Sequence, residues 1–109
     1  MYGLSILETD KIDGIGKGKN NKELFFMIAD HLDWSNEYEH LKILQEKINS
    51  YIGYIESRQF HEIYPNETFE FYIIEVHFKY QITEKCLKFI DVVSKQLSQH
   101  NIKIVAEIV

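Results

Sequence analysis

The sequence has 109 residues, 45% hydrophobic and 27% charged, with one proline, one cysteine and a formal net charge of −5. That balance describes one folded domain, 1–109, large enough to bury a core without disulfide or metal staples, and excludes a disordered chain. It also argues against a nucleic-acid partner, which needs a basic face, and against a membrane protein, which needs a run of roughly 20 apolar residues; the lone Cys86 and an N-terminus without a secretion signal point to the cytoplasm.

Along the chain, "KIDGIG", the turn-forming "KGKNNK" and "ELFFMIAD" read as a β-hairpin, with Tyr2 to Leu7 as a short lead-in strand. From Asn36 to Ser57, Leu41, Leu44, Ile48, Tyr51, Ile52 and Ile55 recur at three and four, one stripe of a long amphipathic helix. The connection "RQFHEIYPNET" leads to "FEFYIIEVHFKY", a strand rich in aromatic and β-branched residues. Period-two alternation puts Tyr72, Ile74, Val76, Phe78 and Tyr80 on its helix-packed face and Phe69, Phe71, Ile73, Glu75, His77 and Lys79 on the other. Thr83 caps a second helix, Glu84 to His100, whose stripe is Cys86, Ile90, Val93 and Leu97; Asn101 ends it in the left-handed conformation, and "IKIVAEIV" is the last strand. The order β-β-α-β-α-β predicts an α+β two-layer sandwich, a four- or five-stranded sheet with both helices on one face.

The densest chemistry lies in "DHLDWSNEYEH", Asp30 to His40, with four acids, two histidines and the single tryptophan, Trp34. Asp33, Ser35 and Asn36 are residue types that accept hydrogen bonds from free helix N–H groups, and Glu37 and Glu39 lie where the helix dipole favours negative charge. Glu37 and His40 also have the Glu-x-x-His spacing of bundle metal sites, but those need two such pairs. Glu75 and His77, which would complete one, fall on the opposite face of the sheet, so no metal or other cofactor is expected. On a helical wheel Glu37 lies within the apolar stripe, either as a buried capping group or as the wall of a small pocket.

Other candidates are weaker. "GIGKGK", Gly14 to Lys19, lacks the Gly-Lys-Ser/Thr ending of a phosphate loop and leads into a strand, so it reads as a hairpin tip. Cys86 sits on the inner stripe of a helix as a small buried residue, and His61 and His100 are solvated or capping histidines.

The segments "DKIDGIG", "ADHLDW", "EHLKILQEKINSYIGYIES" and "VHFKY" resemble, in order and spacing over nearly the whole chain, a family of short bacterial proteins catalogued as a domain of unknown function. "DHLDW" is the most specific of them. The resemblance implies a compact α/β fold in a bacterial cytosol and transfers no catalytic residue. In size and charge the chain is also similar, more loosely, to bacterial toxin-immunity proteins.

Two function classes follow. The first is a small acidic binding protein, of which an immunity protein that occludes the active site of a basic toxin such as a nuclease is one form. It would bind through Asp33, Trp34 and Glu39, with Glu37 behind them, and needs no catalytic residues. The alternative is a small-molecule or metal-dependent enzyme built on Asp30, His31, Asp33, Glu37 and His40, for which the sequence supplies half of a site. Large apolar residues on the sheet face away from the helices predict that this face is covered by further chain, by a partner or by a second copy, as in a homodimer.

Overall fold

The computed structural model describes residues 6–20 and 22–109. Its elements are β1 (Gly14–Lys17), β2 (Glu23–Asp30), α1 (Glu37–Glu56), β3 (Phe71–Phe78), α2 (Glu84–Leu97) and β4 (Ile102–Ile108), with short 3-10 turns at Gln59–Glu62 and Ser98–His100. The architecture is the expected α+β sandwich, with four strands in the spatial order β1-β2-β3-β4. The expected lead-in strand, Tyr2 to Leu7, falls largely outside the described residues, and Ile6 and Leu7 form a turn.

β1 and β2 pair antiparallel, while β2–β3 and β3–β4 are parallel. Each parallel pair needs a crossover, and right-handed crossovers between strands taken in chain order put α1 and α2 on the same face. Burial agrees. Leu24, Phe26 and Ile28 of β2, Ile74, Val76 and Phe78 of β3, and Ile102 and Ile104 of β4 are buried against Leu44, Ile48, Tyr51 and Ile55 of α1 and Cys86 and Ile90 of α2. Glu75 and His77 point to the other face, as the alternation predicts, where His77 Nε2 lies 3.5 Å from Glu75 and 3.6 Å from Glu107.

Three boundaries differ from the sequence reading, each for a local reason. β1 begins at Gly14 rather than Lys11. Asp13 turns inward, and its Oδ2 accepts the Ala29 N–H at 2.9 Å, ending the ladder with a side chain. Phe69 does not lie on the open sheet face. It precedes β3, is buried and packs edge-on against Phe60 and Tyr64. The second helix tightens after Leu97 into the Ser98–His100 turn before Asn101 takes the expected left-handed conformation, φ 59°.

β4 is an edge strand. Tyr72 N–H bonds the Asn101 carbonyl, so in the parallel pattern the odd-numbered residues of β4 address β3 and the even-numbered ones face outward. One of those outward carbonyls, that of Ile104, accepts the Ser94 hydroxyl of α2 at 3.3 Å.

α1 departs most from a simple apolar stripe. Its buried face includes His40 and Lys47 beside Leu44, Ile48, Tyr51 and Ile55, while Leu41 and Ile52 are only half-buried at its margins. Lys47 Nζ lies 2.9 Å from Asp13 Oδ1, both side chains fully buried, and donates to the Glu8 carbonyl at 2.8 Å. Tyr51 joins the same network: Asp13 N–H donates to its hydroxyl at 2.8 Å, and the hydroxyl donates to the Met27 carbonyl. Every polar atom carried inward here has a partner, the condition for a buried polar cluster to be tolerated.

Candidate functional site at the start of the first helix

The "DHLDW" segment links the carboxyl end of β2 to the start of α1, and each acid in it has a distinct structural position. Asp30 is the last residue of β2, and the pleat points it toward the helices, where it is buried. Its Oδ1 accepts the Leu32 N–H at 3.1 Å, which shapes the turn. Asp33 folds the chain again, Oδ1 accepting from Ser35 N–H at 3.1 Å and Ser35 Oγ–H at 2.7 Å. Asn36 is the helix cap, its Oδ1 accepting the Glu39 N–H at 3.2 Å.

His40, one turn into α1, reaches back to the strand. Its Nε2 lies 2.6 Å from Asp30 Oδ2 and its Nδ1 3.0 Å from the Asp33 carbonyl, with both side chains buried. A carbonyl only accepts, so Nδ1 carries a proton, and one further proton lies between Nε2 and the carboxylate. The pair therefore holds either imidazolium with carboxylate or imidazole with carboxylic acid. Burial pushes the Asp30 carboxyl above its ordinary range, and the contact with His40 opposes that shift without cancelling it. The ring is fixed from its face by Trp34, stacked at 3.7 Å and 20°.

Trp34 is thus turned inward, half-buried between His40 and Phe78, with its indole N–H buried and without a partner among the described residues. The large exposed aromatic of this helix turn is Tyr38, 77% exposed. Glu37 is not a buried capping group. Its side chain is 30% exposed and its carboxylate faces Lys85, 3.7 Å away at the start of α2. His31 is exposed, outside the His40 cluster. Of the candidate residues, the structure gathers buried Asp30 and His40 and half-buried Trp34 into one unit and leaves Asp33 and Glu39 exposed on the surface.

Beside Asp33 and Glu39 lies a cleft of about 160 Å³. Leu7, Leu32 and Ile43 give it apolar walls, and Asp33, Asn36 and Glu39 give it a polar, acidic margin. The Ser35 hydrogen bonds hold the Asp33 carboxyl below its ordinary range, so it is ionised at neutral pH. Sequence periodicity marked the acids but not the walls, because Leu7, Leu32 and Ile43 lie on three different segments.

α2 closes the inner side. Cys86 sits at its first turn, buried, its N–H capped by Thr83 Oγ1 at 3.1 Å. Burial, with the nearby charges of Asp30 and Glu37, pushes its thiol up to about 12. Thiol reagents at about pH 8 are therefore expected to leave Cys86 unmodified in the folded chain and to label it completely once denaturant unfolds it, counted by mass spectrometry.

Among the described residues no group of three or more His, Cys, Asp or Glu side chains is arranged to hold a metal ion, and no helix is long and apolar enough to cross a membrane. No curated protein and no solved structure matches the chain. Residues 4–109 match a family of unknown function (DUF6572), so the chain with its "DHLDW" turn belongs to that family.

Proposed function

We propose that the protein is a small acidic binding protein that receives a basic side chain of a protein partner in the cleft at the start of α1. The observation that carries this reading is the mixed lining of that cleft: ionised Asp33 and exposed Glu39 beside the apolar Leu7, Leu32 and Ile43. A lysine or arginine has the same two-part chemistry, an aliphatic stem under a charged head. A volume of about 160 Å³ suits one such side chain rather than a small-molecule substrate. Tyr38, 77% exposed, offers an aromatic anchor beside the acids, while Trp34 and Glu37 support the margin from behind. A toxin with a basic active cleft, such as a nuclease, is a partner of this chemistry, and occluding it would make the protein an immunity protein. The rival enzymatic reading rests on the 2.6 Å contact between Asp30 and His40, but both ring nitrogens of His40 are engaged there and neither is presented to a substrate.

The test is binding to the product of the neighbouring gene, compared between the wild type and the Asp33→Lys/Glu39→Lys double variant. Because oriented surface charge acts chiefly on encounter, the double variant is expected to slow association at least about tenfold at low salt, with the difference shrinking as salt is raised. The Asp33 turn and its Ser35 contacts make a circular-dichroism check of folding part of the same experiment. An association rate unchanged by both reversals in folded protein would remove the cleft from the interface.

A further inference from the structure

We propose that two copies of the chain pair through the open face of the sheet, stacked face to face about a two-fold axis that crosses the strands along the row Met27–Glu75–Val105. The helices cover the other face, so this interface shares no residue with the acidic cleft.

The face is apolar and, over β1, flat. Gly14 and Gly16 pair directly with Met27 and Phe25, so all four share it. Neither glycine, nor Gly18 just beyond the strand, has a positive φ, so the backbone conformation does not call for glycine. What the missing side chains supply is clearance. A Cβ at Gly14 would lie 3.5 Å from Met27 Cε, and one at Gly18 would lie 2.8 Å from Phe25 Cε2, so both side chains lie across β1 as a smooth floor. Ile73 and Val105, half-buried, and Phe71, 47% exposed, continue that floor over β3 and β4. A contiguous apolar surface across all four strands marks an interface, where a single exposed side chain would not.

Its size suits a weak dimer. With strands about 4.8 Å apart and up to about 26 Å long, the four-stranded face covers roughly 500 Å². Two copies then bury roughly 1,000 Å², the lower bound for a specific interface. Stacking leaves the β4 edge, where Ser94 already occupies the Ile104 carbonyl, outside the contact.

Charge selects a second copy over a foreign partner. On β4, Lys103 precedes Val105 and Glu107 follows it, all on this face. Nearer β2 the signs run the other way: Glu23 stands at the start of β2, and Lys79 lies just past the end of β3, beside His77 and Ala29. Turned end over end on its own copy, the face sets Lys103 over the partner's Glu107 and Glu23 toward the partner's Lys79, and symmetry makes each pair twice. The same turn sets Phe25 against the partner's Ala29, large on small, while Met27 and Val105 meet their own copies. A foreign partner would require no such end-to-end reversal. Glu75 is the charged residue that meets its own copy at the axis. Its Oε1 lies 3.5 Å from His77 Nε2 of the same chain, and the remaining repulsion keeps the dimer weak.

The experiment is sedimentation velocity of the full chain across the micromolar range, for the wild type, Lys103→Glu, Glu107→Lys and the double swap Lys103→Glu/Glu107→Lys. The two positions are four residues apart on one strand, roughly 13 Å, so they do not pair within a chain and the swap has no reason to favour a monomer. The wild type is expected to dimerise reversibly. Each single reversal is expected to weaken the dimer at least about tenfold, and the swap to restore it to within about threefold of wild type. Both side chains are exposed, and circular dichroism verifies the fold of each variant. A wild type that stays monomeric up to millimolar concentration, single reversals that dimerise like the wild type, or a swap no better than the single reversals would each overturn the proposal. So would a monomer that binds the product of the neighbouring gene and loses it in Ile73→Lys, which would give the face to a different protein.

Discussion

Lys47→Ala is expected to destabilise the fold by about 3–5 kcal/mol, seen as a lower urea midpoint at unchanged slope. The loss comes less from the missing attraction than from what stays behind. Asp13 cannot swing into water, because its Oδ2 closes the β1–β2 ladder on Ala29 and its backbone N–H is tied to Tyr51. Its Oδ1, 2.9 Å from Lys47 in a fully buried position, would be left as an uncompensated charge, and the Glu8 carbonyl would lose one of its two donors, keeping the Lys11 N–H. The comparison that isolates this cause is Asp13→Asn/Lys47→Met, which keeps an acceptor for Ala29, restores apolar volume and removes both charges. The double variant is expected to recover more than half of the single-variant loss. A single variant within about 1 kcal/mol of wild type would mean that the carboxylate escapes burial and that the network contributes little.

His40→Ala should have an effect of the same size, about 3–5 kcal/mol, since it removes the proton-sharing partner of a buried carboxyl, the donor to the Asp33 carbonyl and the ring on which Trp34 stacks. Asp30→Asn is the informative contrast. An amide at position 30 can donate to His40 Nε2 while His40 keeps its Nδ1 proton for Asp33, so every contact survives without a charge. It also removes a titration whose sign is fixed. The folded carboxyl of Asp30 is raised above its ordinary value of 3.8, so the stability it contributes is fully present below pH 3.8 and is lost as pH rises through the folded value. The stability of Asp30→Asn relative to wild type is therefore expected to increase as pH rises from about 3 toward neutrality, read from urea midpoints across that range. A difference that is flat with pH, or that falls, would show that the Asp30 carboxyl is not raised by burial.

Much of the architecture was legible in the sequence because local signals agreed with one another. Thr83 and Asn36 are the helix caps, Asn101 takes the left-handed stop, and the alternation in "FYIIEVHF" sorts the two sheet faces correctly. The misses share a physical origin. Lys47 lies three residues after Leu44 and four before Tyr51, and His40 four before Leu44, squarely on the buried stripe, but the sequence reading counted only apolar residues on it. What carried them inward was a partner elsewhere in the chain, Asp13 for one and Asp30 for the other, and single-sequence periodicity has no means of pairing positions 34 or 10 residues apart. The acids of the candidate site were visible in advance for the reverse reason. Asp33 and Asn36 act on backbone groups two and three residues away, within the range of a local pattern. Which of those acids would be buried and which exposed was set by the pleat of β2 and the first turn of α1, and so could not be read from their clustering.

The hydroxyl that α2 places on the outer carbonyl of Ile104 has a consequence for how the molecule avoids its own kind. An exposed edge offers an incoming strand a regular row of donors and acceptors, and a hydrophobic edge such as "IKIVAEI" is the sort from which cross-β growth starts. Occupying one acceptor in the middle of that row interrupts the repeat at the point where a growing ladder would need continuity, and Lys103 and Glu107 add charge along the same strand. A single serine on a neighbouring helix thus breaks the row of free acceptors that an incoming strand would pair with on this edge.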